Sequence, residues 1–238
     1  MFLNKFEKHM KSENLLKYLK YSFGEILLLV AGILIALQIN NWNDARIQQN
    51  QIEDTLAIVQ LDLEMDINET DRILKYYMEK LMILDTIFNN RGGEDYIYTN
   101  NKVVTLNLNY DELKINTRGY DLLRNMNANE QFSSDTLVTN IADFYSTYVR
   151  KNSTIVSLIK EDVADNLSYY KNNFPWYENI IKGQVTEAIT KEIYTDFKAR
   201  NGIIHHSVLV GNNYFPFLTA FKNNGDKILE EIKARRNK

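Results

Sequence analysis

Two hydrophobic rhythms share the first ninety residues of this chain. From Ile26 to Leu37 every position but Gly32 is an apolar side chain. From Ile47 onward, Ile52, Leu56, Val59, Leu63, Ile67, Leu74, Tyr77, Leu81, Leu84 and Phe88 recur at mostly three- and four-residue steps, the period of a helix with one buried face. A continuous apolar block needs an apolar environment all round, whereas a 3.6-residue stripe needs it on one side only. The first block alone is short for a bilayer, which takes about 20 mostly apolar residues. Its surroundings lengthen it. Tyr21 to Asn40 spans roughly 30 Å at about 1.5 Å per residue, and Tyr18, Tyr21, Phe23 and Trp42 sit where interfacial aromatics belong. Residues 21–41 are therefore expected to form a transmembrane helix. A cleaved signal peptide would want a small-x-small site after the run, where Gln38 to Asn43 is bulky and polar. A buried soluble helix would not call for a lysine-rich flank and an aromatic collar.

Nothing between Trp42 and Ile52 breaks a helix, so the anchor is expected to continue to Asn89 and stop at the sequence Asn89-Asn-Arg-Gly-Gly93. Such a rod from Tyr21 to Phe88 would be on the order of 100 Å long. Beyond it, residues 94–109 read as a polar connector in which 102–106 (Lys-Val-Val-Thr-Leu) is either a short strand or plain loop. A shorter helix is predicted around 110–127, tightened near Gly119. Ser133 or Ser134 is placed to cap the next, which carries Leu137, Ile141, Phe144, Tyr148, Ile155, Ile159, Val163, Leu167 and Tyr170 and ends before Pro175. Two further helical patterns follow at about 185–199 and 202–235, the last kinked at Pro216. The fold class predicted is all-α: a transmembrane helix running into a long amphipathic helix, with an extracytoplasmic antiparallel helical bundle. The domain plan is a basic cytoplasmic stub (1–20), a span (21–41) and an outer helical domain (42–238).

Charge sets the orientation. Lys5, Lys8, Lys11, Lys17 and Lys20 precede the span and only Arg46 follows closely, so the positive-inside rule keeps the N-terminus in the cytoplasm. The stub is net +3 and the remainder net −6, which suits anionic lipid on one side and gives no basic patch for nucleic acid on the other. With no cysteine, disulfide and thiol chemistry drop out and the outer domain must be held by its core.

The stretch Gly24-Glu25-Ile…Gly32-Ile-Leu-Ile-Ala36-Leu-Gln38-Ile-Asn40-Asn41-Trp42-Asn43 resembles the opening of a group of uncharacterised single-span membrane proteins of Bacteroidetes-type bacteria, with Tyr120 to Leu123 and Phe144-Tyr145 loosely similar to that group's later helices. The resemblance implies a bacterial inner-membrane protein and brings no activity with it; the charge bias is what puts the domain after the span in the periplasm.

Candidate chemistry is sparse. At 100° per residue, Glu25, Leu29, Gly32, Ala36, Asn40 and Asn43 fall on one helix face, joining a small-xxx-small pair to an intramembrane carboxylate. That face would suit association of membrane helices; equally, Glu25 would merely mark the interface. Phe174, Trp176 and Tyr177 would line a ligand pocket at the bundle end or simply close the core. The run Asp62-x-Glu64-x-Asp66-x-Asn68 lacks the glycine and the final acid of a calcium loop and reads as a solvated helix face. His205 and His206, being adjacent, point about 100° apart and do not chelate as an i, i+4 pair. Three Asn-x-Ser/Thr sequons carry no weight in so Asn-rich a chain. No catalytic, cofactor-binding or metal residue is assigned. The expected function is a non-enzymatic interaction or scaffold protein whose partners are the lipid bilayer and a second copy or another membrane protein. The alternative is a ligand-sensing bundle that signals through a separate membrane partner, since twenty cytoplasmic residues hold no output domain.

Overall fold

The structure, a computed structural model, describes residues 3–89, 93–126 and 135–236. They form eight α-helices, with no strand among the described residues. The fold divides into two units, Met1–Asp54 and Thr55–Lys238. Helix α1 (Leu3–Phe88) is assigned without a break across that boundary.

In the first unit α1 stands alone. Its apolar stretch is uncovered: Ile26, Leu27, Leu28, Leu29 and Leu34 are each more than half exposed. This is the one segment of the described chain with the length and composition to cross a membrane, at a mean hydropathy of 2.2 with none of it buried.

The second unit is a packed helical domain. Its share of α1 buries Leu56, Val59, Leu63, Ile67, Tyr77 and Leu84, as the periodicity requires. The register drifts at the far end, where Ile73 and Ile87 are buried in place of Leu74 and Phe88. The remaining helices are α2 (Gly93–Thr99), α3 (Arg118–Met126), α4 (Thr136–Asn173), α5 (Tyr177–Ile181), α6 (Glu187–Thr195), α7 (Phe197–Leu209) and α8 (Phe215–Arg236). Helix α4 packs on α7 and α8, and α2 on α6. Phe144 on α4 meets Phe221 on α8 with ring centroids 5.3 Å apart, and Tyr77 meets Tyr214 edge-on at 5.4 Å.

Several expected elements change. The connector is helical at α2, and Val103 and Val104 lie in a 3-10 turn (Asn101–Thr105) whose Asn100 side chain caps Lys102; both valines are buried as that turn folds onto the core. Residues 110–117 are not helical; α3 begins only at Arg118. In the first turn of α3, a Cβ at Gly119 would stand 2.7 Å from the backbone nitrogen of Val59, so the chain can approach α1 this closely only at glycine. Ser133 and Ser134 lie outside the described residues; the cap of α4 is Asp135, whose carboxylate accepts from the N–H groups of Leu137 and Val138. The pattern expected at 185–199 is cut by Asp196, which ends α6 and caps α7 through the Ala199 N–H. The predicted kink at Pro216 takes the form of a π-turn (Val210–Tyr214) immediately before it, in which the Phe215 N–H reaches back five residues to the Val210 carbonyl.

Candidate functional site

The stretch between the 3-10 turn and α3 is the least regular part of the domain and the most heavily bonded. Residues 109–117 have no regular secondary structure. Helix α1 holds them by side chains spread over about five turns, from Lys80 to Asp62. Lys80 donates from Nζ to the carbonyls of Leu106 (3.1 Å) and Asn109 (2.6 Å). The Tyr76 hydroxyl donates to Asn109 Oδ1 (2.7 Å). The Tyr77 hydroxyl donates to the Asp111 carbonyl (2.7 Å) and accepts from the Asp111 N–H (3.0 Å). Asp66 accepts from the Asn116 N–H (3.0 Å) and side-chain amide (2.5 Å), and Asp62 accepts from the Gly119 N–H (2.8 Å) and from Arg118 (3.1 Å). Two other elements complete the attachment: the Leu113 N–H donates to the Tyr214 hydroxyl (2.7 Å), and Asn152 on α4 donates to the Leu113 carbonyl (2.8 Å).

These anchors fix the conformation of the segment. From Lys80 to Asp62 the helix rises about 27 Å, and the chain from Asn109 to Gly119 covers the same distance at about 2.7 Å per residue. The ceiling for a stretched chain is about 3.3–3.6 Å. Residues 109–117 are thus a nearly extended strap laid antiparallel along α1. A strap with no strand partner has no ladder for its backbone groups, so buried side chains must supply the partners that a neighbouring strand would.

The acidic run therefore is not the solvated face read from its sequence. Asp62 and Asp66 are 3 % and 1 % exposed; Glu64 and Asn68 are the members that face outward, and Lys233 meets Glu64 at 2.9 Å. Burial, reinforced by the charge of Asp62, raises Asp66 to about 7 against the two bonds from Asn116 that lower it. Burial pushes Lys80 the other way, down to about 8, with Asp111 opposing weakly. The hydroxyl of Tyr145, near both aspartates, is buried with no partner among the described residues, and its ionisation is pushed well above the ordinary phenol range by burial. Sequence reasoning missed this seam. The available signal was Asp62, Asp66 and Thr70 at four-residue spacing, the first two directly before the apolar positions Leu63 and Ile67, which puts them on the rim of the buried stripe.

Glu25, Leu29, Gly32, Ala36 and Asn40 are all exposed along α1, and a Cβ at Gly32 would meet nothing within 4 Å. Asn40 donates to Asp44 (3.0 Å) within the same helix. In the second unit, Phe174 sits in the core with Tyr170, Ile180 and Ile189, and Trp176 stacks on it at 4.5 Å while donating to Glu192. Tyr177 packs against the same cluster. These three rings are part of one apolar cluster. His206 is buried with Nδ1 2.7 Å from Asp162, whereas His205 is exposed.

Residues 25–92 match the model of a family described as a family of unknown function (DUF6090). The matched stretch contains the face of the anchor and every α1 side chain of the seam, and stops short of the strap. No curated protein and no solved structure matches the chain.

Proposed function

We propose that this chain is a non-enzymatic protein of a bacterial inner membrane, anchored once by residues 21–41, with its N-terminus in the cytoplasm and residues 42–238 in the periplasm as an interaction or scaffold domain. The observation that carries the reading is the contrast in coverage along α1: the most apolar window of the molecule has none of its surface buried, while the domain that follows has a closed core of its own. Each large aliphatic side chain left in water forfeits about 1.5–3 kcal/mol of burial, and residues 26–37 hold nine of them, so a lipid environment accounts for the run where a soluble fold does not. The lysine bias supplies the orientation, and the face through Gly32 and Ala36 supplies the mode of association, with a second copy or another membrane protein.

The test is extraction and topology together. The full chain should stay with the membrane pellet at alkaline pH, and a reporter active only outside the cytoplasm should be on when fused after Lys238. Release by alkaline carbonate overturns the anchor; an active cytoplasmic reporter at that position overturns the orientation.

A further inference from the structure

The strap has two backbone edges, and only one is used. In an extended chain the N–H and C=O of one residue point to one side and those of the next to the other. Over residues 109–114 the inward set belongs to the odd-numbered residues, before the Asn116 N–H turns back to Asp66: Asn109 through its carbonyl, Asp111 and Leu113 through both groups, bonded to Lys80, Tyr77, Tyr214 and Asn152. The even set is different. Among the described residues, no protein group bonds the backbone N–H or C=O of Tyr110, Glu112 or Lys114. At the centre of the edge Leu113 is buried, while Tyr110 is 36 % exposed and the Lys114 side chain 83 %. Cavities of about 640 and 380 Å³ border the strap, both lined by Glu112 and Lys114 and both floored by α4, with Val163 and Leu167 in the first and Val149 and Val156 in the second.

We infer that the outward edge of Tyr110, Glu112 and Lys114 is a docking edge for an extended peptide segment of a partner protein, which adds to it as an antiparallel strand. An edge of this kind, rigidly held from behind and open in front, offers up to six backbone hydrogen bonds and pairs with any chain that can extend along it. The flanking charges select the occupant. On one side Glu69 and Asp111 share the cation of Arg72, which leaves a net negative charge. On the other, Lys114 and Lys160 share the carboxylate of Glu112, which leaves a net positive one. A strand running antiparallel meets Lys114 first and Asp111 three residues later, so the preferred segment carries an acid followed three positions on by a base. The inference goes beyond the anchored-scaffold reading and does not depend on residues 21–41 crossing a bilayer.

The probe is acetyl-Thr-Glu-Val-Thr-Lys-Tyr-Val-amide, whose Glu is placed opposite Lys114, its second Thr opposite Glu112 and its Lys opposite Asp111. It is titrated against the full chain in mild detergent. N-methylation of the second Thr removes a donor aimed at the strap and should weaken binding about tenfold, whereas N-methylation of the Val, whose N–H points away, should change it less than about twofold. Exchanging Glu and Lys should weaken it about three- to tenfold. On the protein, Lys114→Pro removes an N–H that bonds nothing in the fold, so binding should fall about tenfold with the melting temperature retained, and Lys114→Ala separates the loss of charge from the loss of the donor. Equal affinity of the two N-methyl peptides, or no binding at about 1 mM, overturns the proposal. A detergent-stable dimer of the parent that Lys114→Pro abolishes also overturns it, by making the occupant a second copy.

Discussion

The two stretches of helix α1 invert each other. Along residues 26–37, aliphatic side chains face outward and no described residue covers them; after Thr55, carboxylates and an ammonium face inward beside the aliphatic core. Asp66 and Lys80 are more deeply buried than any side chain of residues 26–37. Hydrophobicity alone would have ranked the two stretches the other way. Burial follows from what an element has to satisfy. The outer stretch needs apolar surroundings and supplies no hydrogen bonds, whereas the inner stretch supplies the hydrogen bonds that an extended neighbour cannot make for itself.

The largest effect expected from breaking this contrast is at Gly119. Gly119→Val would drive side-chain atoms into the Val59 backbone and lift the strap's end off Asp62, at about 3–5 kcal/mol of stability in urea unfolding of the detergent-solubilised chain. The matched change Gly24→Val, in the outer stretch where a Cβ meets nothing within 4 Å, should leave that unfolding unchanged. Similar losses from both would erase the distinction between the stretches.

Next is the acid end of the seam. The folded protein holds the Asp66 proton up to about 7, while an unfolded chain releases it near 3.8. Stability from this group is therefore complete below the lower value and is lost as pH rises through the higher. Asp66→Asn removes that dependence, so its stability relative to the parent should rise by about 2–4 kcal/mol between pH 4 and 8. A flat difference across that interval would show that Asp66 is solvated after all.

At the basic end the sign reverses. Lys80 ionises at about 8 in the fold and at 10.5 when free, so its contribution is present above 10.5 and fades as pH falls through 8. Lys80→Met should cost about 1–3 kcal/mol through two orphaned carbonyls, and the deficit should widen between pH 8 and 10.5. A deficit that narrows over that range would contradict a desolvated ammonium.

The smallest effect belongs to the outer stretch. Gly32→Ile should lower association of the membrane helix by about 1 kcal/mol in an in-membrane reporter carrying residues 15–45, Glu25→Gln by less, and Leu34→Ile, on the opposite side, not at all. Identical signals from the parent and all three would leave Gly32 and Ala36 as lipid-facing surface.

Long elements were legible because their signal repeats. Residues 52–88 and 137–170 announce their helices through a long series of apolar positions, and Pro175 ends the second as expected. The strap was not legible, because Tyr110 and Leu113 are spaced well enough for a helix, and what holds them extended lies on another element, in Asp62, Asp66 and Tyr77. Val103 and Val104 suggested a strand by propensity, but the Asn100 cap and the adjoining core chose a 3-10 turn. In the site itself, spacing alone put Glu25, Leu29, Gly32, Ala36 and Asn40 on one side of α1, and all five are exposed. The seam did not, since a carboxylate on the rim of an apolar stripe reads as surface until the element that covers it is known.

The π-turn at Val210–Tyr214 is a helix carrying one residue more than its pitch allows. That surplus is equivalent to a single-codon insertion whose cost was absorbed locally: the widened turn seats Pro216, which has no N–H to close an α-turn, and it delivers the Tyr214 hydroxyl to the Leu113 N–H. Excising Gly211 would restore the ordinary count and swing everything upstream or downstream by about 100°. Either Tyr214 leaves the strap or Phe217, Leu218 and Phe221 leave the core. The reading frame of this helix is thus tied to an extended segment 101 residues away, and a shortened variant should survive only where a compensating residue is gained nearby.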